Sequence, residues 1–84
     1  MTLKLWELTT FSCLKTFNGH EHTVSYAKFT ALGDFIISAS RDKTLRIWEV
    51  STGYCKKTLI GHDDWVRILM ITENGNYIAS GSND

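Results

Sequence analysis

Short stretches of this chain alternate apolar and polar residues. TLKLWEL, at 2–8, and TLRIWEV, at 44–50, alternate apolar and polar residues with Leu, Ile, Trp and Val among the apolar ones, which is the period of a half-buried β-strand. Five more stretches are short, rich in β-branched or aromatic residues and bounded by turn residues. They span 24–30, 35–40, 54–60, 65–72 and 77–82. No segment keeps a helical period, so the pattern predicts an all-β meander with a strand about every ten residues.

The sequence repeats itself at an offset of 42 residues. Seventeen of 42 positions are identical without a gap, among them Trp6 with Trp48 and the Gly-His step at 19–20 with that at 61–62. Three further residues, Ser38, Ser40 and Asp42, recur as Ser80, Ser82 and Asp84. The chain is therefore two copies of one unit, whose length is that of a four-stranded propeller blade rather than of a helical repeat.

Composition limits the class of protein and of partner. Eighty-four residues suit one small domain or a piece of a larger one. Nine basic residues balance nine acidic ones, and a net charge of zero does not favour nucleic acid or an anionic membrane as partner. The sequence has no apolar run long enough for a spanning helix, and the first ten residues lack the apolar core of a signal peptide. Two cysteines are too few for a disulfide framework, so we expect reduced thiols in an intracellular protein.

Three short motifs resemble those of the WD-repeat propellers. They are Gly19-His20, the step Ser38-x-Ser40-x-Asp42, and Trp48-Glu49. The resemblance covers the whole chain. It departs from the family name in one respect, since glutamate stands where aspartate is expected after tryptophan, and this acid varies widely in the family.

The resemblance implies an all-β fold, a WD-repeat β-propeller fragment whose blades hold strands a, b, c and d from the central channel outward. Residues 1–18 would form a half blade with strands c and d, 19–60 a complete blade, and 61–84 a half blade with strands a and b. We expect the isolated fragment to self-associate through these open blade edges, because an exposed edge strand is a template for pairing with another chain. With two blades for each chain, closed rings would hold six or eight blades.

In this family a buried hydrogen-bond chain links Trp, Ser, His and Asp, and the resemblance maps it onto Trp48, Ser38, His20 and Asp42. The chemistry is consistent. An indole N–H only donates, a serine hydroxyl accepts and donates, and an imidazole can donate onward to a carboxylate. The chain ends hold partial networks, with Trp6 at one end and His62, Ser80 and Asp84 at the other.

Two groups of residues could instead indicate chemistry. Ser38, His20 and Asp42 are the residue types of a hydrolase triad, but a serine beneath a tryptophan cannot meet a substrate. Cys13, Cys55 and the two Gly-His histidines are the residue types of a zinc site, but equivalent positions on neighbouring blades lie too far apart for one ion. We therefore expect no catalytic residue, no cofactor and no metal, and we expect both cysteines to be buried or half-buried structural thiols.

The two units differ most just after the Gly-His step. The first unit has EHTVS at 21–25, and the second has DDWVR at 63–67. Tryptophan and arginine are among the residue types most enriched at interface hot spots. The propeller architecture would place Trp65, Arg67 and Arg41 on one rim of the narrow top face, as candidates for partner binding. The alternative is that Trp65 packs between blades and the arginines are solvated.

A narrower resemblance is to the lissencephaly-1 family of seven-bladed propellers, whose third and fourth repeats are similar to residues 38–67 and 78–84. It implies a non-catalytic scaffold that regulates cytoplasmic dynein and microtubule-based transport, in the cytoplasm and associated with the cytoskeleton. The implied partners are the dynein motor domain, bound by arginines at positions matching Arg41 and Arg67, and the catalytic subunits of platelet-activating-factor acetylhydrolase. A generic WD-repeat scaffold, such as the substrate-receptor subunit of a ubiquitin ligase, is the alternative.

Overall fold

The computed structural model describes residues 1–72 and 77–84, and these residues form eight β-strands. The strands are β1 (Thr2–Glu7), β2 (Ser12–Asn18), β3 (Val24–Phe29), β4 (Phe35–Ser40), β5 (Thr44–Glu49), β6 (Cys55–Ile60), β7 (Val66–Ile71) and β8 (Ile78–Ser82). Each stretch with a strand pattern contains one of them, with ends that differ by at most one residue, which confirms the all-β prediction. Within the described ranges, no helix is long and apolar enough to cross a membrane.

The strands form three antiparallel sheets, and strands that are neighbours in a sheet are also neighbours in the chain. Strands β3 to β6 form a four-stranded sheet, while β1–β2 and β7–β8 form two-stranded sheets. The four-stranded sheet is one complete propeller blade and the other two are half blades, so the fold is that of a propeller fragment. The three sheets fall within residues 1–18, 19–60 and 61–84, and residues 73–76 lie outside the described part of the last.

The sequence repeat is also a repeat of strand geometry. Strands β1 and β2 shift register between Leu5 and Trp6, and strands β5 and β6 shift between Ile47 and Trp48, at the equivalent position. A bulge of this kind bends its strand and re-aims the side chains beside it. The same irregularity therefore lies next to the strand-c tryptophan in both copies of the unit.

Two apolar clusters hold the sheets against one another. Phe17, Ile36 and Trp48 are buried between the β1–β2 half blade and the complete blade, with Leu3 and Leu5 packed beside them. The second cluster consists of Ile37, Ala39, Leu45, Val66 and Leu69, between the complete blade and the β7–β8 half blade. Because successive side chains of a strand point to opposite faces, each face of the complete blade contributes to one cluster. The hydrophobic core thus lies between blades.

The half blades leave open edges in the described part of the chain. Strand β1 pairs only with β2, and strand β8 pairs only with β7. Large apolar side chains on the half blades and on the faces beside them are exposed, including Trp6, Phe29, Met70 and Tyr77. Unpaired backbone groups next to exposed apolar surface can receive a further strand.

Candidate functional site

A continuous hydrogen-bond chain runs through the complete blade. The Trp48 indole N–H donates to Ser38 Oγ at 2.8 Å, and Ser38 Oγ lies 2.6 Å from His20 Nε2. His20 Nδ1 lies 2.8 Å from the Asp42 carboxylate. Since the Ser38 oxygen accepts from the indole, its own proton is free to be donated to Nε2. A neutral His20 with its proton on Nδ1 therefore satisfies every member of the chain.

Local strand geometry brings these four residues together. On adjacent strands β4 and β5, Ile36 lies opposite Trp48, two positions from Ser38. His20 comes from the loop before β3, and Asp42 from the turn between β4 and β5. Asp42 also accepts hydrogen bonds from the backbone N–H groups of Glu21 and Thr44, each at 3.0 Å. The carboxylate thus ties the turn to the loop, and the indole and hydroxyl tie both to the sheet.

The pKa values of His20 and Asp42 move in the direction that this chain requires. Burial lowers the pKa of His20 below its usual value of 6.5, and this outweighs the hydrogen bond and charge of Asp42, which act to raise it. Burial acts to raise the pKa of Asp42, but hydrogen bonds from Thr44, His20 and the Glu21 backbone outweigh it and lower the pKa to about 2. At neutral pH the pair is a neutral imidazole and a carboxylate.

Ser38, His20 and Asp42 are hydrogen-bonded in the order of a hydrolase triad, but the serine is inaccessible to a substrate. Ser38 has no exposed surface, and its hydroxyl lies between the Trp48 indole and the His20 imidazole. A nucleophile needs a position where the reacting carbonyl can approach within about 3–3.5 Å. In this conformation the chain of hydrogen bonds fixes a loop and a turn rather than presenting a nucleophile.

The third sheet holds the partial network. His62 Nε2 lies 2.7 Å from Ser80 Oγ, and His62 Nδ1 lies 3.2 Å from Asp84, which also accepts from the Asp63 backbone N–H. Trp6 lies at the other end of the fragment with half of its surface exposed, so the structure does not bring it to these residues. His62, Ser80 and Asp84 are therefore arranged like His20, Ser38 and Asp42, but no described indole donates to Ser80.

The cysteines and histidines do not converge. Within residues 1–72 and 77–84, no group of three or more His, Cys, Asp or Glu side chains is placed to hold a metal ion. Both cysteines are free thiols, and the Cys55 sulfur accepts from the Arg46 guanidinium at 3.7 Å. Cys55 is half-buried as expected, because it packs against the cluster of Phe17, Ile36 and Trp48. The expectation was wrong for Cys13, which is exposed because no such cluster covers the equivalent position of the β1–β2 half blade.

Two guanidinium groups lie over the indole ring of Trp65 on the rim of the fragment. The guanidinium carbon of Arg67 is 4.1 Å from the centre of the indole ring, and that of Arg41 is 4.9 Å away. Both distances fall within cation–π range. Arg41 and Arg67 are exposed, while Trp65 is half-buried. The structure thus brings all three candidate rim residues together, and we call this group the arginine–tryptophan rim.

Ser25, which the sequence did not single out, anchors this rim to the complete blade. The Trp65 indole N–H donates to Ser25 Oγ at 2.7 Å, and that hydroxyl donates to the Val66 carbonyl at 2.7 Å. The tryptophan therefore packs between blades, as one of the two hypotheses predicts, and also lies beside the two exposed arginines. Its role in partner binding stays a prediction. The only available signal was that position 25 differs between the units, where the second has Arg67.

The sequence matches one protein family and is similar to known proteins over part of its length. A family model described as "WD domain, G-beta repeat" matches residues 11–49 and 53–84. The Nuclear distribution protein PAC1 of Candida tropicalis is 48% identical over 44 residues, which cover 51% of this chain and 9% of that protein. The Lissencephaly-1 homolog of Heterostelium pallidum is 51% identical over 37 residues, which cover 44% of this chain and 9% of that protein.

These findings agree with the motifs and the fold. The relatives confirm the predicted resemblance to the lissencephaly-1 family over about half of the chain, although each match covers 9% of the relative's length. Repeats of this kind suggest a scaffold for protein interactions. Because the family model matches most of the chain and the eight strands form one blade and two half blades, the chain belongs to the WD-repeat family.

Proposed function

We propose that this chain is part of a non-catalytic protein-interaction scaffold that regulates cytoplasmic dynein, and that the arginine–tryptophan rim is its binding surface. The observation that carries the proposal is the pair of guanidinium groups held on one indole, at 4.1 and 4.9 Å. The chain would act in the cytoplasm in association with the cytoskeleton, as the resemblance to the lissencephaly-1 family implies.

The rim has the properties of an interaction hot spot. Trp65 is fixed by its hydrogen bond to Ser25, so the ring loses little freedom when a partner binds. The exposed guanidinium groups of Arg41 and Arg67 can each donate a bidentate pair of hydrogen bonds to a carboxylate. We therefore infer that the recognised surface of the dynein motor domain is acidic.

The resemblance supports a second protein partner, the catalytic subunits of platelet-activating-factor acetylhydrolase. In such a complex this chain would supply binding surface and no chemistry. The buried position of Ser38 supports a structural role for the triad-like residues. The expected absence of catalysis, cofactor and metal stays part of the proposal.

Charge reversal on the rim tests the dynein proposal. In a complete propeller that contains this segment, Arg41→Glu with Arg67→Glu is expected to weaken binding to the dynein motor domain about tenfold or more, because two favourable charge contacts become repulsive. The matched control is Lys56→Glu with Lys57→Glu, since both lysines are exposed and lie on the outer strand β6. Circular dichroism and thermal melts check that both variants fold. Unchanged binding by a folded rim variant, or an equal loss in the control, would contradict the proposal.

A further inference from the structure

An open pocket beside the β7–β8 half blade has the lining of the site that holds Trp48. Its volume is about 260 Å³, and it is lined chiefly by Leu45, Leu59, Gly61, His62, Ile78 and Ser80. Shifted by one repeat of 42 residues, these positions become Leu3, Phe17, Gly19, His20, Ile36 and Ser38, the residues around Trp48. The pocket therefore has the lining that surrounds a tryptophan one repeat earlier in the chain.

The polar groups of this pocket are already arranged for an indole. His62 Nε2 lies 2.7 Å from Ser80 Oγ, as His20 Nε2 lies 2.6 Å from Ser38 Oγ. Ser38 also accepts from the Trp48 N–H. No described indole donates to the Ser80 hydroxyl, whose oxygen can still accept a hydrogen bond when the hydroxyl donates to His62.

A comparison of Gly19 with Gly61 shows that the space which Trp48 occupies beside Gly19 is empty of described atoms beside Gly61. A Cβ atom placed on Gly19 would lie 2.9 Å from the Trp48 ring and 2.8 Å from the Arg46 guanidinium. A Cβ atom placed on Gly61 would meet no described atom within 4 Å. Gly61 thus leaves the same room as Gly19, and no ring or guanidinium of residues 1–72 or 77–84 lies within 4 Å of the place where its Cβ would be.

Strand β1 carries a tryptophan suited to this vacancy. Its sequence, TLKLWE, differs from the TLRIWE of β5 only at Lys4 and Leu5, both by similar residues. Trp6 is 54% exposed, and no described side chain accepts a hydrogen bond from its indole N–H. Since β1 pairs on one side only, its other edge is free to join a sheet.

We propose that in the isolated 84-residue chain this pocket binds strand β1 of a second copy, with Trp6 of that copy inserted beside Gly61 and Ser80. The register of β4 with β5, moved by one repeat, would pair Ile78 with Trp6 and Tyr77 with Glu7 of the second copy. The inserted indole N–H donates to Ser80 Oγ and completes the network of His62 and Asp84. Strands β7 and β8 of one copy and β1 and β2 of the next then form a whole composite blade.

An apolar groove beside β1 supports the same contact between β8 of one copy and β1 of the next. A groove of about 480 Å³ lies between β1 and the β3–β4 face and is lined mainly by Leu3, Leu5, Trp6, Leu8, Phe29 and Ile36. The half blade of the second copy would cover this apolar groove as β8 pairs with β1. The contact joins two different surfaces, so it repeats from copy to copy and either closes into a ring or continues as a filament. Three copies supply six blades and four copies supply eight, within the range of known propellers.

Sedimentation velocity of the 84-residue chain tests this proposal. We expect association at micromolar concentration, and we expect Trp6→Ala to raise the midpoint concentration about tenfold or more, because a tryptophan anchored in a pocket dominates interface energies. Gly61→Ala should have the same effect without harming the single chain, because its Cβ meets no described atom there. The control Leu32→Ala alters an exposed turn residue and should leave the midpoint unchanged.

Register-specific cross-linking gives a second readout that does not depend on truncating Trp6. With Cys13 and Cys55 replaced by serine, Glu7→Cys and Tyr77→Cys should form a disulfide between copies. Directly opposed strand positions have suitable Cα separations of about 5 Å. Lys4→Cys with Tyr77→Cys is three positions out of register, about 10 Å away, and should not cross-link. A folded monomer at micromolar concentration would overturn the proposal, as would association insensitive to Trp6→Ala and Gly61→Ala, or cross-linking without register preference.

Discussion

The indole N–H of Trp48 donates a 2.8 Å hydrogen bond to the hydroxyl of Ser38, and both side chains are buried. This single contact links strand β5 to β4 and extends through His20 to Asp42. A loop, a turn and two strands are thereby fixed by four side chains that satisfy one another. Removing one member leaves a buried polar partner unsatisfied, which is the costly case in protein interiors.

The buried histidine should matter more for stability than its repeat equivalent. His20→Ala leaves Ser38 and Asp42 without their shared partner, and we expect the free energy of unfolding to fall by roughly 1–3 kcal/mol. The matched control is His62→Ala, at the equivalent position of a half-buried network without an indole. Denaturant titration, below the concentration at which copies associate, measures both. Equal losses in the two variants would count against the buried network.

Acid should destabilise the fold in two steps whose direction follows from the two pKa values. The folded pKa of His20 is lowered from 6.5, so the unfolded chain binds more protons below that pH and stability falls as pH decreases from 6.5. The folded pKa of Asp42 is lowered from 3.8 to about 2, so its contribution is present above 3.8 and is lost as pH falls toward 2. Denaturant midpoints across this range measure both steps, and His20→Ala should lack the upper one. A midpoint that rises between neutral pH and pH 5 would contradict the assignment.

The two glycines of the Gly-His steps should respond differently to an added methyl group. In Gly19→Ala the new Cβ would lie under 3 Å from Trp48 and Arg46, and we expect a loss of about 1–3 kcal/mol from overpacking. In Gly61→Ala the new Cβ meets no described atom within 4 Å, so the stability of the single chain should stay within about 0.5 kcal/mol of the original. Thermal melts of dilute chains make the comparison. The reverse order of stabilities would show that the indole does not occupy the place assigned to it.

The hydroxyl of Ser25 should affect partner binding through Trp65. Ser25→Ala removes the acceptor of the Trp65 indole N–H, and we expect motor-domain binding by a complete propeller to weaken about fivefold, the equivalent of one hydrogen bond of about 1 kcal/mol. Ser51→Ala, at an exposed turn position, is the control. Titration calorimetry measures both variants. Binding that is indifferent to Ser25→Ala would mean that the orientation of Trp65 does not matter for recognition.

Seven of the eight strands could be predicted from stretches that alternate apolar and polar residues or are rich in β-branched and aromatic residues, with turn residues at their ends. Strand β2 lies in no such stretch and follows only from the propeller resemblance. The residues of the buried network could be assigned because the family resemblance maps them onto this sequence, and their donors and acceptors match in order. For the rim, the sequence predicted the three residues Arg41, Trp65 and Arg67 but not the contacts that hold them together. The stacking of Arg41 on Trp65 joins residues of different blades, and the Ser25 bond crosses the same boundary, so neither follows from a pattern within one repeat. The exposure of Cys13 was missed because it depends on which strand face a neighbour covers.

The most direct test of the rim as a binding surface uses the three tryptophans as reporters of three places. Trp6 lies at the open edge, Trp48 in the buried network and Trp65 on the rim. With fluorinated tryptophan in a complete propeller that contains this segment, fluorine NMR during titration with the dynein motor domain follows the signals of all three residues at once. We predict that the Trp65 signal changes its chemical shift while the Trp48 signal keeps its own. An unchanged Trp65 signal under conditions in which the motor domain binds would contradict the account.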